Sequence, residues 1–248
     1  MNTAFRVGGD EYDNFMGRYS TVLAPAFADF AGVRSGMRVL DVGAGTGALT
    51  TELVARGASA AAADPSPEFV AVLRRRFPNL EVEEAPAEAL PWGADVFDLA
   101  LAQLVVAFMS DAPAAIAEMA RVARRVAVCM WGVEEVDMFA AIDRVAETVG
   151  APRAIEPRRY RTAQEIRDLL VPHGEVEMGE LDVTAGYRDF EEFWQAMDHG
   201  VGPAGQWLAS LDAEQREHAH AELYRELGSP AGPFELKARA FAGAVRPS

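Results

Sequence analysis

The stretch Val39-Leu40-Asp41-Val42-Gly43-Ala44-Gly45-Thr46-Gly47-Ala48-Leu49-Thr50 decides how the rest of this chain is read. With Met37 and Arg38 just upstream, it opens as a short β-rich run suited to a buried parallel strand. Three glycines follow on alternate positions, and Ala48 to Val54 continues at helical spacing. A strand that turns through glycines into a helix offers bare backbone N–H groups and a helix N-terminus to a ligand. The glycines let the main chain come close to that ligand, where a Cβ would collide. A second apolar run, Ala58 to Ala63, ends in Asp64. In a doubly wound sheet, an acid closing the next strand lies beside the first turn and can accept both hydroxyls of a ribose. The pattern is that of a nucleoside site.

The glycine spacing bears on which nucleoside. A dinucleotide fingerprint reads GxGxxG, whereas Gly43, Gly45 and Gly47 read GxGxG and position 48 is Ala. Asp41 stands two residues before the first glycine. Taken alone, the loop also fits an NAD domain or a structural tight turn, so its neighbours must decide. "LDVGAGTG" resembles motif I of the class I SAM-dependent methyltransferases. The resemblance implies that Asp41, Gly43, Ala44, Gly45, Thr46 and Gly47 cradle the methionine part of S-adenosyl-L-methionine (SAM). Asp64 and the adjoining Pro65 then take its ribose side.

Composition narrows the classes. The chain has 248 residues, half of them hydrophobic, enough for a single α/β domain of ordinary size with an insertion. Its formal net charge is −15, with a pI of about 4.7. Such a balance repels polyphosphate and anionic lipid, which argues against nucleic-acid and membrane-surface substrates. The one cysteine, Cys129, lies in an apolar run and reads as a core residue in a reducing, cytoplasmic protein. No apolar h-region opens the sequence, so no signal peptide is expected.

Upstream of the loop, Tyr12, Phe15, Met16, Tyr19 and Leu23 recur at helical spacing from about Glu11 to Phe30, with Pro25 as a kink or boundary. In the resembled family an N-terminal helix often lies over the cofactor. Residues 1–35 are therefore expected as a lid, with Tyr12, Phe15 and Tyr19 covering the ligand and Arg18 pairing with its carboxylate. Downstream, Ser66 and Pro67 signal a helix start. Arg74-Arg75-Arg76 closes that helix, where cations complement the dipole, and Arg121, Arg124 and Arg125 are expected to close a later one. Leu80 to Glu84 alternates like an edge strand.

Ala85-Pro86-Ala87-Glu88-Ala89-Leu90-Pro91-Trp92 resembles the family's "GDAExLPF" segment, which implies adenine contacts at Ala87 and Glu88. Pro86 stands where that segment carries its adenine-binding Asp, so the side-chain contact is missing. Asp95 to Gln103 resembles the family's fourth strand, whose exit, Gln103 and Leu104 to Val105, is implied to face the transferred methyl group. Helix from Ala112 to about Arg125 and strand from Val126 to Trp131 complete five βα units.

The remainder exceeds a minimal domain. Glu134 to Val149 reads as an added helix, and Thr162-Ala163-Gln164-Glu165 as a helix start. Val176–Val183 and Phe234–Val245 read as a sixth and seventh strand, an antiparallel pair in the family. Some fifty residues lie between them. There Phe190, Phe193, Trp194 and Met197 form a helical stripe, Gly200 to Gly205 reads as a glycine-rich loop, and a polar helix runs from about Leu211 to Leu227. "GVGPAG" and "FELKARAF" loosely resemble bacterial small-molecule methyltransferases.

The expected fold is Rossmann-like: a doubly wound, seven-stranded, mostly parallel sheet with an antiparallel last strand. Residues 36–186 form the SAM-binding core, 187–228 a helical cap insertion, and 229–248 the strand that completes the sheet. The function this implies is methyl transfer from SAM to a small, partly apolar acceptor, without metal, nucleic acid or membrane. Oligomeric state stays open, with a homodimer as one option. His199 and Glu134 are the only bases that can be placed near the crevice. An NAD-dependent oxidoreductase and a non-catalytic SAM-binding protein are the rival readings.

Overall fold

Short runs of small residues make strands here only because both faces are covered. In the computed structural model, which describes residues 17–151, 159–198 and 202–246, Ser59–Asp64 is a strand made of four alanines between a serine and an acid. Alanine has little strand preference of its own. Burial between two neighbours decides the matter. The strands are β1 (Arg38–Val42), β2 (Ser59–Asp64), β3 (Glu81–Glu84), β4 (Leu99–Gln103), β5 (Val126–Val136), β6 (Val176–Tyr187) and β7 (Phe234–Val245). They form one sheet in the order β3-β2-β1-β4-β5-β7-β6. β1 to β5 are parallel, and β7 runs antiparallel to both β5 and β6. The strand order reverses between β1 and β4, which opens a crevice beyond their C-terminal ends.

Helices cover both faces. On one lie α1 (Arg18–Ala31), α2 (Ala48–Ala55) and α3 (Pro67–Arg76); on the other, α4 (Ala112–Val122) and α6 (Ala163–Leu170). α3 starts as its sequence dictates. Ser66 Oγ accepts the Phe69 N–H, and Pro67 stands in the first turn. A reciprocal capping box of Thr162 and Glu165 opens α6. Pro25, read from sequence as a kink or boundary, lies inside α1, which runs on to a left-handed cap at Gly32.

α5 (Asp137–Val149), α7 (Phe190–Asp198), α8 (Gly202–Ser210) and α9 (Ala213–Glu226) are additional to this core arrangement. β6 ends at Tyr187 and β7 begins at Phe234, so α7 to α9 leave and rejoin the sheet at its ligand edge. Phe190, Phe193, Trp194 and Met197 are all buried, in the same hydrophobic cluster as Leu23 and Phe27 of α1 and Leu101 of β4. The stripe is core.

Three expectations are corrected. β5 continues to Val136, with a register irregularity after Trp131, so Glu134 lies on an exposed stretch of strand and the helix starts only at Asp137. Gly202 to Gly205 belong to α8, where a loop was expected. α4 ends at Val122, leaving Arg124 and Arg125 beyond it; Arg125 pairs with Glu177 at 2.8 Å. Among the described residues, no helix is long and apolar enough to cross a membrane.

Candidate functional site

The corner between β1 and β2 is made largely of main chain. The N–H groups of Gly43 and Ala44 both donate to the Ala63 carbonyl, at 2.8 and 3.1 Å, which hangs the start of the loop on the end of β2. Gly47 caps α2 in a left-handed conformation. Asp64, 5% exposed, accepts the Gly45 N–H on Oδ2 at 2.8 Å and the Ser66 N–H on Oδ1 at 2.9 Å. Burial raises its pKa, and these two bonds oppose the rise.

Beneath the loop lies a second acid. Asp41 is 1% exposed and accepts a 2.6 Å hydrogen bond from Thr50 Oγ1. Burial, with the charge of Asp64 adding to it, pushes its pKa up to about 7 against the Thr50 bond. Thr46 is buried too, and its carbonyl accepts Arg76 Nη1 at 2.8 Å. The end of the basic run thus returns to the glycine loop, beyond the dipole role read from sequence.

The glycines do different jobs. A Cβ on Gly43, at φ +70°, would come within 2.6 Å of a Val105 methyl, and one on Gly47 within 2.8 Å of the Phe77 ring. Those two are small because the protein itself crowds them. Gly45 also has positive φ, but a Cβ there would meet nothing within 4 Å. Only its position opens on free space.

The remaining expected site residues sit as follows. Pro65 is exposed beside Asp64. Ala87 is buried, in a segment tied to the acid strand by the Ala85 N–H on the Asp64 carbonyl at 3.2 Å. Glu88 turns aside and accepts the Asp111 N–H at 2.9 Å. Gln103 ends β4 and donates from Nε2 to the Ser20 carbonyl of α1 at 3.0 Å. Leu104 follows at φ +61°, a strained conformation for a branched side chain, held by its N–H on the Cys129 carbonyl at 2.9 Å. Cys129 is wholly buried, which pushes its thiol pKa up and leaves it inert.

Arg18 does not point its charge at the crevice. It donates to the Gly186 carbonyl, pairs with Glu192 at 2.7 Å and stacks over Tyr187 at 4.5 Å. Tyr19 is buried against Trp131 and Tyr187. Tyr12, Phe15 and His199 lie outside the described residues. His220 packs edge-on to Phe190 and Trp194 and contacts Glu191. Thr50, Ser66 and Ser20 were not anticipated as partners here. Thr50 alone had a local signal, a hydroxyl in the first turn of the helix after an Asp-bearing strand.

Residues 40–130 match the family model described as a methyltransferase domain. The match is to a methyltransferase domain and covers this stretch alone. Within curated sequences the chain resembles the uncharacterized methyltransferase Mb3374 of Mycobacterium bovis, 44% identical over 87 residues, 35% of each chain. The first mycobacterial relatives are matched over 43% of their length, so the chain spans less than half of them. Among solved structures, a SAM-dependent methyltransferase from Aquifex aeolicus superposes with a TM-score of 0.54 at 19% identity, covering 70% of this chain and 91% of that one. The [4+2]-cyclase SpnF superposes with a TM-score of 0.56 at 18% identity, covering 96% and 95%. Likenesses this remote concern the fold. The matched stretch thus extends from β1 into β5, with α1, the cap and the β6–β7 pair outside it.

Proposed function

We propose that this protein binds SAM across the glycine loop and Asp64 and transfers its methyl group to a small, partly apolar acceptor, in the cytoplasm and without nucleic acid or membrane. The observation that carries the reading is the Asp64 corner. Each carboxylate oxygen holds one loop amide, and a carboxylate has about four acceptor positions. Two remain for a pair of ribose hydroxyls, next to the one of the three loop glycines whose missing side chain leaves open space. The two buried acids also suit a ligand that arrives with positive charge.

When bound, SAM supplies a methyl group activated by its sulfonium. The chain's own part is to hold the ligand, exclude water and align the acceptor. Such positioning is worth effective molarities of about 10⁵–10⁸ M. Gln103, Leu104 and Val105 line the β4 exit where the acceptor would approach, and the cap closes the ligand edge beyond β5. Among the described residues no base stands out there, since Glu134 is exposed on its strand. Proximity is therefore the main catalytic device. His199→Ala and Glu134→Gln should each lower kcat by less than about a hundredfold.

Titration calorimetry with SAM, S-adenosylhomocysteine (SAH) and NADH tests the cofactor. Mass spectrometry of acceptor mixtures, scored for SAH release, then tests the transfer. Binding of NADH with no response to SAM would sink the reading. SAM binding with no turnover of any acceptor would favour a binding protein, a role open to the same fold.

A further inference from the structure

Gln103 is fixed at one end and left open at the other. Leu99 and Leu101 precede it on the face that carries α1, and the side chain reaches that helix. Its Nε2 donates to the Ser20 carbonyl, and exchanging the amide nitrogen and oxygen would set two acceptors against each other. The carboxamide orientation is thereby determined. Oε1 then points away from Ser20, is buried, and has no donor among the described residues. Native proteins seldom leave a buried acceptor unpaired, because its desolvation is not repaid.

The place of this atom suggests what should pair with it. Asp41 is level with Leu101 across the β1–β4 seam, so Gln103, two residues on, is level with Gly43. Asp64 lies on the opposite side of β1. A ligand with its ribose on Asp64 and its other end over the loop therefore directs that end toward Gln103. Asp41, buried on the same face, favours a cation there.

We propose that Gln103 is a positioning residue linking the occupied site to the first turn of α1. An N–H at the amino-acid end of the cofactor donates to Oε1, while Nε2 holds the Ser20 carbonyl. A hydrogen bond accepted at one end of an amide strengthens the bond donated at the other. The same helical turn carries Arg18 and Tyr19, whose partners Gly186, Tyr187 and Glu192 lie at the end of β6 and in α7. Cofactor occupancy at β4 is thus felt at the edge of the cap. This inference rests on the SAM reading above.

Hydrogen exchange of the peptide covering residues 17–24 tests it, with SAH and with 5′-methylthioadenosine, which lacks the amino-acid end. In the wild type SAH should slow exchange there roughly three- to tenfold, and methylthioadenosine should not. A peptide from α4, on the other face of the sheet, serves as the control for global stabilisation. Gln103→Glu keeps an acceptor for the ligand but cannot donate to Ser20. It should bind SAH within about threefold of wild type yet lose the slowing, whereas Gln103→Met should lose about tenfold in SAH affinity as well. Melting curves establish that both variants are folded, and the wild-type comparison of the two ligands needs neither. SAH binding that leaves exchange at 17–24 unchanged overturns the link, as does equal slowing by methylthioadenosine or full slowing in Gln103→Glu. If SAH fails to bind the wild type, the cofactor reading itself falls and takes the link with it.

Discussion

The corner at Gly43–Asp64 and the helical cap stand at the same edge of one sheet but are held by different forces. The corner uses main-chain N–H groups, two buried carboxylates and left-handed glycines, all from residues close in sequence. The cap uses aromatic side chains, some of which meet across long separations, as Phe234 does with Tyr187 at 5.4 Å and with Phe193 at 6.2 Å. Directional bonds over a short loop specify one ligand geometry. Non-directional packing tolerates substitution, so under the proposed function acceptor preference could change in the cap while cofactor geometry stays fixed.

That contrast predicts that damage to the cap costs stability before it costs cofactor binding. Phe193 is fully buried, and Phe193→Ala should destabilise the fold by roughly 3–5 kcal/mol. Calorimetry below the lowered melting temperature should still find SAM affinity within about threefold of wild type. A collapse of both together would mean that cap and corner are one unit.

Asp41 brings a pH dependence opposite in sign to that of the cap, where Arg18 lowers the pKa of Glu192. The Asp41 pKa rises on folding from 3.8 to about 7, so the stability it contributes is full below about 4 and is lost as pH rises through 7. The swing is at most on the order of 4 kcal/mol. Ligand-free melting temperatures should therefore fall from pH 5 to pH 8, and Asp41→Asn should flatten that slope. A cationic ligand favours the ionised acid, so SAM should stabilise more at pH 8 than at pH 6. Parallel slopes in wild type and variant would show that Asp41 titrates normally.

Asp64→Ala sharpens the comparison from the binding side. Charge-assisted bonds of about 1.5–3 kcal/mol each, partly compensated by water, translate into a tenfold to thousandfold loss of SAM affinity. Some stability should go as well, since the N–H groups of Gly45 and Ser66 lose their acceptor. Unchanged affinity would remove Asp64 from the ribose.

The smallest effect separates two glycines of one loop. Gly45→Ala meets no neighbour and should cost only the left-handed strain, about 1–2 kcal/mol, whereas Gly43→Ala should cost more because its methyl meets Val105. Equal losses in chemical denaturation would show that the space over Gly45 is filled.

What was legible in the sequence was local. The strand–glycine–helix run, the Ser66 cap, the capping box at Thr162 and the bounds of β7 follow from residues within a few positions of one another. The seven-stranded, mostly parallel sheet with an antiparallel last strand matched what the family resemblance implied. Pairings over long separations were not legible. Arg18 finds Glu192 and Gln103 finds Ser20 only once α1 is laid across the sheet. Glu134 was misplaced because Asp137 to Val149 is strongly amphipathic, and helical periodicity drowned the short strand extension before it. "GVGPAG" was read as a loop from its glycines, though Gly202 to Gly205 are carried into α8. Residue type sets a preference, and packing partners far along the chain decide whether it prevails.

Both outer strands of the sheet carry carboxylates. β3 contributes Glu81, Glu83 and Glu84 in four residues, of which Glu81 meets Arg38, and β6 contributes Glu177, Glu180 and Asp182, partly offset by Arg125 and Arg239. An uncovered strand rim is a template on which a second molecule can add, and like charges on facing rims oppose that growth. The protection depends on ionisation, and it fades as pH falls toward the isoelectric point near 4.7. Turbidity of concentrated samples should therefore rise steeply there even while the fold holds, and replacing β3 carboxylates with glutamine should move the onset toward neutral pH.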